Sequence, residues 1–312
     1  MDQGKRSFIS LGMGFLGVLF GEAAKETYRV KVVDRVLELV DRPIWSRMPQ
    51  NIIDRASLVY ELFLSSEAQT EFIPPTNWGH KIPNVALPGG GRTYGHEAAV
   101  LKSIANFVCS SLPLVTWDIN ESSWLAHRDF SQVMLASGSS NLATRAVIGE
   151  PEKPMFISNL NGVAVKLAYS IGMGTGELKR HQYHEEIKRR ALAICKADGS
   201  PALQAEGSGG WQRDDYLLVT RVPGPAPNSV YTVLSGLHGP GTRSAELLFT
   251  ALSSQNLQRL ASYIGHEHGH NPYFQAVFRA SNFKIFDGSD VATHMELVIS
   301  EKCPPVPIKC AN

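Results

Sequence analysis

The sequence predicts an α/β fold: a mixed, largely parallel sheet flanked by helices, preceded by an N-terminal apolar segment and a helical region. Three observations point there. Short β-branched and aromatic runs recur through the last two thirds of the chain, and stretches of helical or turn character separate them. Two of these runs, QVMLA (132–136) and VYTVLS (230–235), are apolar without strict alternation, as expected of strands covered on both faces. The chain has 312 residues, 43% of them hydrophobic, enough apolar material for one large layered domain or two moderate ones.

Residues 1–24 read as an apolar membrane anchor or signal-like segment. Lys5 and Arg6 precede an uncharged run over 7–21, and small Gly21 and Ala23 stand before a possible cut. The run is shorter than the roughly 20 residues that cross a bilayer, so export fits as well as anchoring. The expected location is membrane-associated or exported, with residues 7–21 touching the membrane; burial of 7–21 inside the fold would make it cytoplasmic. A second reading comes from Gly12, Gly14 and Gly17, which spell G-x-G-x-x-G in GMGFLG, with Asp34 near the offset of a ribose-binding acid. That makes an NAD(P)-binding protein an alternative. Against it, Val32, Val33, Val36, Leu37 and Val40 keep a helical spacing straight through Asp34, where a strand should end.

Residues 25–75 read as a helical region, broken at Asp41-Arg42-Pro43 and carrying a second amphipathic stripe of Ile52, Ile53, Ala56, Val59, Leu62 and Phe63. Residues 76–92 form a Pro/Gly-rich linker, and 93–312 the α/β domain. Within it, a helix is expected over 95–110, then strands at 113–118, 132–136, 155–158, 163–169, 216–222, 230–235, 273–280 and 294–300. The alternating charges of 176–199, with His181 and His184 three apart, suit a solvated helix, and SSQNLQRLASYI is expected to be helical.

The charge balance, 30 basic against 29 acidic residues, creates no overall field for phosphates, so no nucleic-acid partner is expected. Cys109, Cys195, Cys303 and Cys310 lack finger or ribbon spacing; Cys303 and Cys310 could close a loop if the chain is exported.

In open α/β sheets, ligands collect where strand C-terminal ends meet helix starts. Two segments have that form. In QVMLASGSSNLATRAV a buried strand is followed by Ser137, Gly138, Ser139, Ser140 and Asn141. In VYTVLSGLHGPGTRSAELL, Gly236, His238, Gly239, Gly241 and Thr242 lie between strand and helix, with Thr242 as the expected N-cap. Hydroxyls, backbone amides and Arg145 or Arg243 suit a small polar or phosphorylated molecule. The predicted ligand-binding residues are Ser139, Ser140, Asn141, His238, Gly239, Gly241, Thr242 and Arg243. No Gly-Lys-Ser/Thr completes a Walker motif and no G-x-S-x-G supplies a nucleophile elbow, so recognition is favoured over turnover, with no catalytic residue assigned and no cofactor expected.

The segment DYLLVTRVPGPAPNSVYTVLSGLHGPGTRSAELL (215–248), with ASGSSNLATRA upstream and YFQAVFRA downstream, resembles an α/β sensor-like domain of uncharacterised bacterial proteins. That domain is often fused behind a helix-turn-helix or a membrane segment. The resemblance implies a membrane-linked sensor and assigns no catalytic residue; a homo-oligomer is compatible with it.

GHEHGHNPYF (265–274) contains His266, Glu267 and His270 in H-E-x-x-H, the pattern of zinc hydrolases in which two histidines hold the metal and the glutamate acts as base. A zinc-dependent hydrolase is therefore the enzymatic alternative. Gly265, Gly269 and Asn271-Pro272 surround the motif and argue for a helix end, where the two imidazoles would lose their common face.

Overall fold

A computed structural model describes residues 131–306, except 161–162, 183, 227–228, 250–253 and 265–272, together with 58–59, 62–63, 70–73, 84–86, 92–94, 96, 99–100 and 103. The segment at 7–21, GMGFLG with Asp34, the expected strand at 113–118 and the HEHGH string all lie outside the described residues. Among the described residues, no helix is long and apolar enough to cross a membrane.

The main strands and helices are β1 (Thr70–Ile73), β2 (Ser131–Leu135), α1 (Leu142–Ile148), β3 (Tyr169–Gln182), β4 (Glu185–Lys196), β5 (Pro201–Gln204), β6 (Asp215–Pro223), β7 (Val230–Gly236), α2 (Gly239–Arg243), α3 (Ser254–Ile264), β8 (Phe274–Phe286) and β9 (Ser289–Lys302). A six-stranded sheet runs in the order β1-β2-β7-β6-β8-β9. The first three strands are parallel neighbours, and each later pairing is antiparallel. A second sheet is built on the antiparallel β3–β4 pair, flanked by β5 and by the short strands Gly207–Ser208 and Trp211–Gln212.

The expectation of a largely parallel sheet flanked by helices is thus overturned. Antiparallel pairing dominates, and one face of the main sheet is covered chiefly by a second sheet. The largest single departure is 176–199, which forms most of β3 and β4 instead of a charged helix. Alternating charge satisfies a solvated strand as well as a solvated helix, and the distal halves of both strands are largely exposed. The proximal halves decide the outcome: Ile171, Ala193 and Ile194 are buried, and Gly172 and Gly174 let β4 come close, since a Cβ at Gly172 would lie 2.6 Å from the Cys195 sulfur.

Period-two alternation divides the core. On one face Val133, Leu135, Leu217, Val219, Leu234, Phe274, Ala276 and Phe278 pack against Leu257, Leu260, Ala261 and Ile264 of α3. Val59, Leu62 and Phe63, helical residues upstream of the Pro/Gly-rich stretch, belong to this same cluster, and β1 joins the same sheet. On the other face Met134, Tyr216, Leu218, Tyr231 and Val233 pack against α1 and against Ile171 and Ile194 of the second sheet. This two-sided cover explains why DYLLVTRVP is buried along its entire length. Thr220 and Arg221 are buried with it. Gln275 reaches Thr220 Oγ1 at 3.0 Å and also bonds the backbone N–H and C=O of Tyr169 at 2.9 and 2.8 Å, stitching the two sheets together.

Candidate functional site

Because β2 and β7 are parallel neighbours, the turns that follow them leave the same end of the sheet side by side. Leu135 is paired with Leu234, and the Ala136 amide donates to the Leu234 carbonyl at 3.1 Å. Ala136, which leads into the first corner, has φ 77°, a left-handed conformation that costs a residue with a Cβ about 1 kcal/mol.

At this first corner the Ser140 and Asn141 amides donate to the Ser137 carbonyl. Asn141 is buried and fully engaged. Its Oδ1 accepts from the Ala143 and Thr144 amides as the N-cap of α1, and its Nδ2 donates to the Leu135 carbonyl at 2.8 Å. This predicted ligand-binding residue thus has a structural task as the cap of α1. Ser139 is exposed and Ser140 half-buried, with Ser139 Oγ 2.7 Å from Ser137 Oγ. Arg145 donates to the Gly138 carbonyl at 2.8 Å and pairs with Glu150 at 3.3 Å.

The second corner is organised by Asp215, a residue absent from the predicted set. Its carboxylate is completely buried; Oδ2 accepts from the Gly241 amide at 2.8 Å, and Oδ1 accepts from the Tyr216 amide at 2.9 Å. The second oxygen also lies 3.5 Å from Nδ1 of His238, an ion-pair distance without hydrogen-bond alignment. His238 Nε2 sits 3.1 Å from the Arg190 carbonyl, so this ring ties the corner to β4 when Nε2 carries the proton. His238, not Thr242, is the N-cap of α2; Thr242 lies inside the helix, its amide donating to the His238 carbonyl and its Oγ1 accepting from the Gly236 amide. The amides of Gly241 and Thr242 are therefore committed within the protein. Both helices that begin here are short, seven and five residues, so side chains rather than helix termini must supply any attraction for a guest.

Those side chains include two that sequence reasoning missed. His96 is buried against the turn: a Cβ at Gly239 would stand 2.8 Å from its ring. Burial first, then the nearby guanidiniums of Arg180 and Arg243, hold its pKa down to about 3, with Asp215 opposing them. Arg180, on β3, is buried and donates to Gln182 Oε1 at 3.1 Å. Arg243 Nε lies 3.5 Å from Glu246 Oε1, and its guanidinium is 5.6 Å from the Phe286 ring centre at the tip of the β8–β9 hairpin. Burial raises the Glu246 pKa, opposed by Arg243. Arg180, Arg243, His96, His238, Asp215 and Glu246 thus gather around one glycine-rich turn.

No family model, curated protein or solved structure matches the chain. Its site has to be read from its own chemistry. Among the described residues, no group of three or more His, Cys, Asp or Glu could hold a metal ion. Asp215 announced itself only as the polar residue opening an apolar strand. Arg180 was hidden in the misread charged stretch, and nothing in GHEAAV singles out His96.

Proposed function

We propose that this protein is a recognition domain for a small anionic molecule, phosphorylated or carboxylated, held at the corner between 137–141 and 236–243. Binding rather than turnover is its role. The observation that carries the reading is the parallel pairing of β2 with β7, which sets two small-residue corners side by side at one end of the sheet. Ser139 and Ser140 supply hydroxyls, and Arg243 and Arg180 supply charge that suits the planar recognition of phosphate or carboxylate. His238, Gly239, Gly241 and Thr242 shape the turn. The basic start and uncharged run at 7–21 support a membrane-tethered or exported setting for the domain, as a sensor has.

Titration calorimetry at low ionic strength with inorganic phosphate, pyrophosphate, adenosine monophosphate and citrate tests the reading. At least one of the four is expected to bind saturably, with Kd raised about tenfold or more, roughly 1.4 kcal/mol, in Arg243→Gln. Absence of heat with all four, together with unchanged thermal midpoints, would overturn it.

A further inference from the structure

Three strands away from β7, the outer edge of β9 runs beside α3, and the two enclose an open groove of about 620 Å³. Residues 297–300 form one wall; Gln255, Gln258, Arg259, Ser262 and Tyr263 form the other. The helix residues belong to the face opposite the stripe of Leu257, Leu260, Ala261 and Ile264 that packs into the core, and all five are exposed.

Among the described residues β9 is the last strand of the sheet, and edges of this kind recruit further strands unless they are blocked. This one is blocked at 295–297, and Val298 is a bulge residue passed over between the Leu297–Phe278 and Ile299–Val277 pairs, so regular spacing resumes at Ile299. Asn256 Nδ2 donates to the Met295 carbonyl at 2.8 Å, and Asn256 Oδ1 accepts from the Leu297 amide at 3.1 Å. Those are the two bonds that one residue of a parallel neighbour, lying opposite Glu296, would make. A side-chain amide therefore stands in for the next strand at 295–297, and the groove begins where that substitution stops.

We propose that the groove binds an extended acidic peptide, which adds to the edge of β9 alongside residues 298–300. Arg259 is the one charged residue among those lining it and calls for a carboxylate on the peptide. Tyr263, 47% exposed, and Val298, 38% exposed, offer apolar area to an aliphatic side chain beside that carboxylate. The wall of four strand residues accommodates about four peptide residues at roughly 3.3 Å each. A second copy pairing edge to edge is disfavoured, because the twofold would set one Arg259-bearing helix face against another, like charge on like charge.

The probe is a fluorescein-labelled hexapeptide alternating valine with glutamate, read by fluorescence anisotropy on the full chain. Saturable binding is expected, weakened about tenfold or more when lysine replaces glutamate, and equally when alternate backbone nitrogens are methylated so that they cannot donate. Arg259→Glu lies on an exposed helix face and is expected to invert the charge preference without loss of fold. No saturable signal, or indifference to backbone methylation, would overturn the proposal. So would a concentration-dependent dimer in sedimentation that Arg259→Glu strengthens, since this would assign the edge to self-pairing. None of these readouts involves the corner at 137–141 and 236–243, so failure here leaves the anion-binding reading standing, and the converse holds.

Discussion

His96 is neutral in the fold because burial and two neighbouring guanidiniums oppose its protonation down to about pH 3, whereas the unfolded chain accepts that proton near 6.5. A lowered folded value means that this residue's contribution is fully present above about 6.5 and is lost as the pH falls from there toward 3. The urea midpoint is accordingly expected to drop between pH 7 and pH 5, and to drop less in His96→Asn; equal slopes for the two proteins would show that the ring titrates normally. Asn141 poses a different test. Removing it by Asn141→Ala deletes a cap and a buried bond to Leu135, a loss of about 2 kcal/mol measurable by chemical denaturation. The small residues of the two corners were legible in the sequence because Gly, Ser and Asn in a row mark a change of chain direction. The partners that give the second corner its charge were not, since His96 and Arg180 come from distant segments whose local pattern carries no trace of where they meet.

Among the elements, α3 was readable because Leu257, Leu260, Ala261 and Ile264 repeat at helical spacing, and all four are buried. Leu260→Ala should cost about 2–5 kcal/mol, seen as a shift of the denaturation midpoint, since that side chain is wholly enclosed. The β3–β4 hairpin was misread because its proximal half is fixed by burial against the main sheet, while its charged distal half pairs with itself and is clasped by another hairpin. His181 places its amide 2.7 Å and its Nδ1 3.2 Å from the Asp290 carboxylate, its ring stacks on Trp211 with centres 4.6 Å apart, and the His184 amide donates to Gly288 at 2.8 Å. The glycine there has φ 68° and leaves no room for a Cβ beside His184. In Asp290→Ala the backbone amides of His181 and His184 are expected to exchange with deuterium faster while those of β6 stay protected. Unchanged exchange at the tips would mean that the strands hold themselves without this clasp.

At the scale of the molecule, the apolar runs at 132–136 and 230–235 marked two central strands, because a sheet covered on both sides tolerates such continuous apolar sequence, and the β-branched and aromatic run at 216–222 marked a third. Direction was not legible. Strand order and orientation depend on which edges meet after the chain has travelled across a face, and the covering of one face by β3 and β4 rather than by helices changed the class of the fold. Charge balance says little at this level, although the near-neutral total agrees with a surface on which acidic and basic groups are interspersed along the hairpins.

The parallel seam between β2 and β7 also sets a schedule for the nascent chain. The β6–β7 and β8–β9 pairs join strands adjacent in sequence, whereas β2 must wait for the entire intervening excursion to be synthesised before Ser131 can receive the Val230 amide across 99 positions. Closure of so distant a seam carries the largest loop-entropy cost among these strand pairings and is expected late. Until the ribosome has released that stretch, the strand that leads into the first corner has no neighbour on that side.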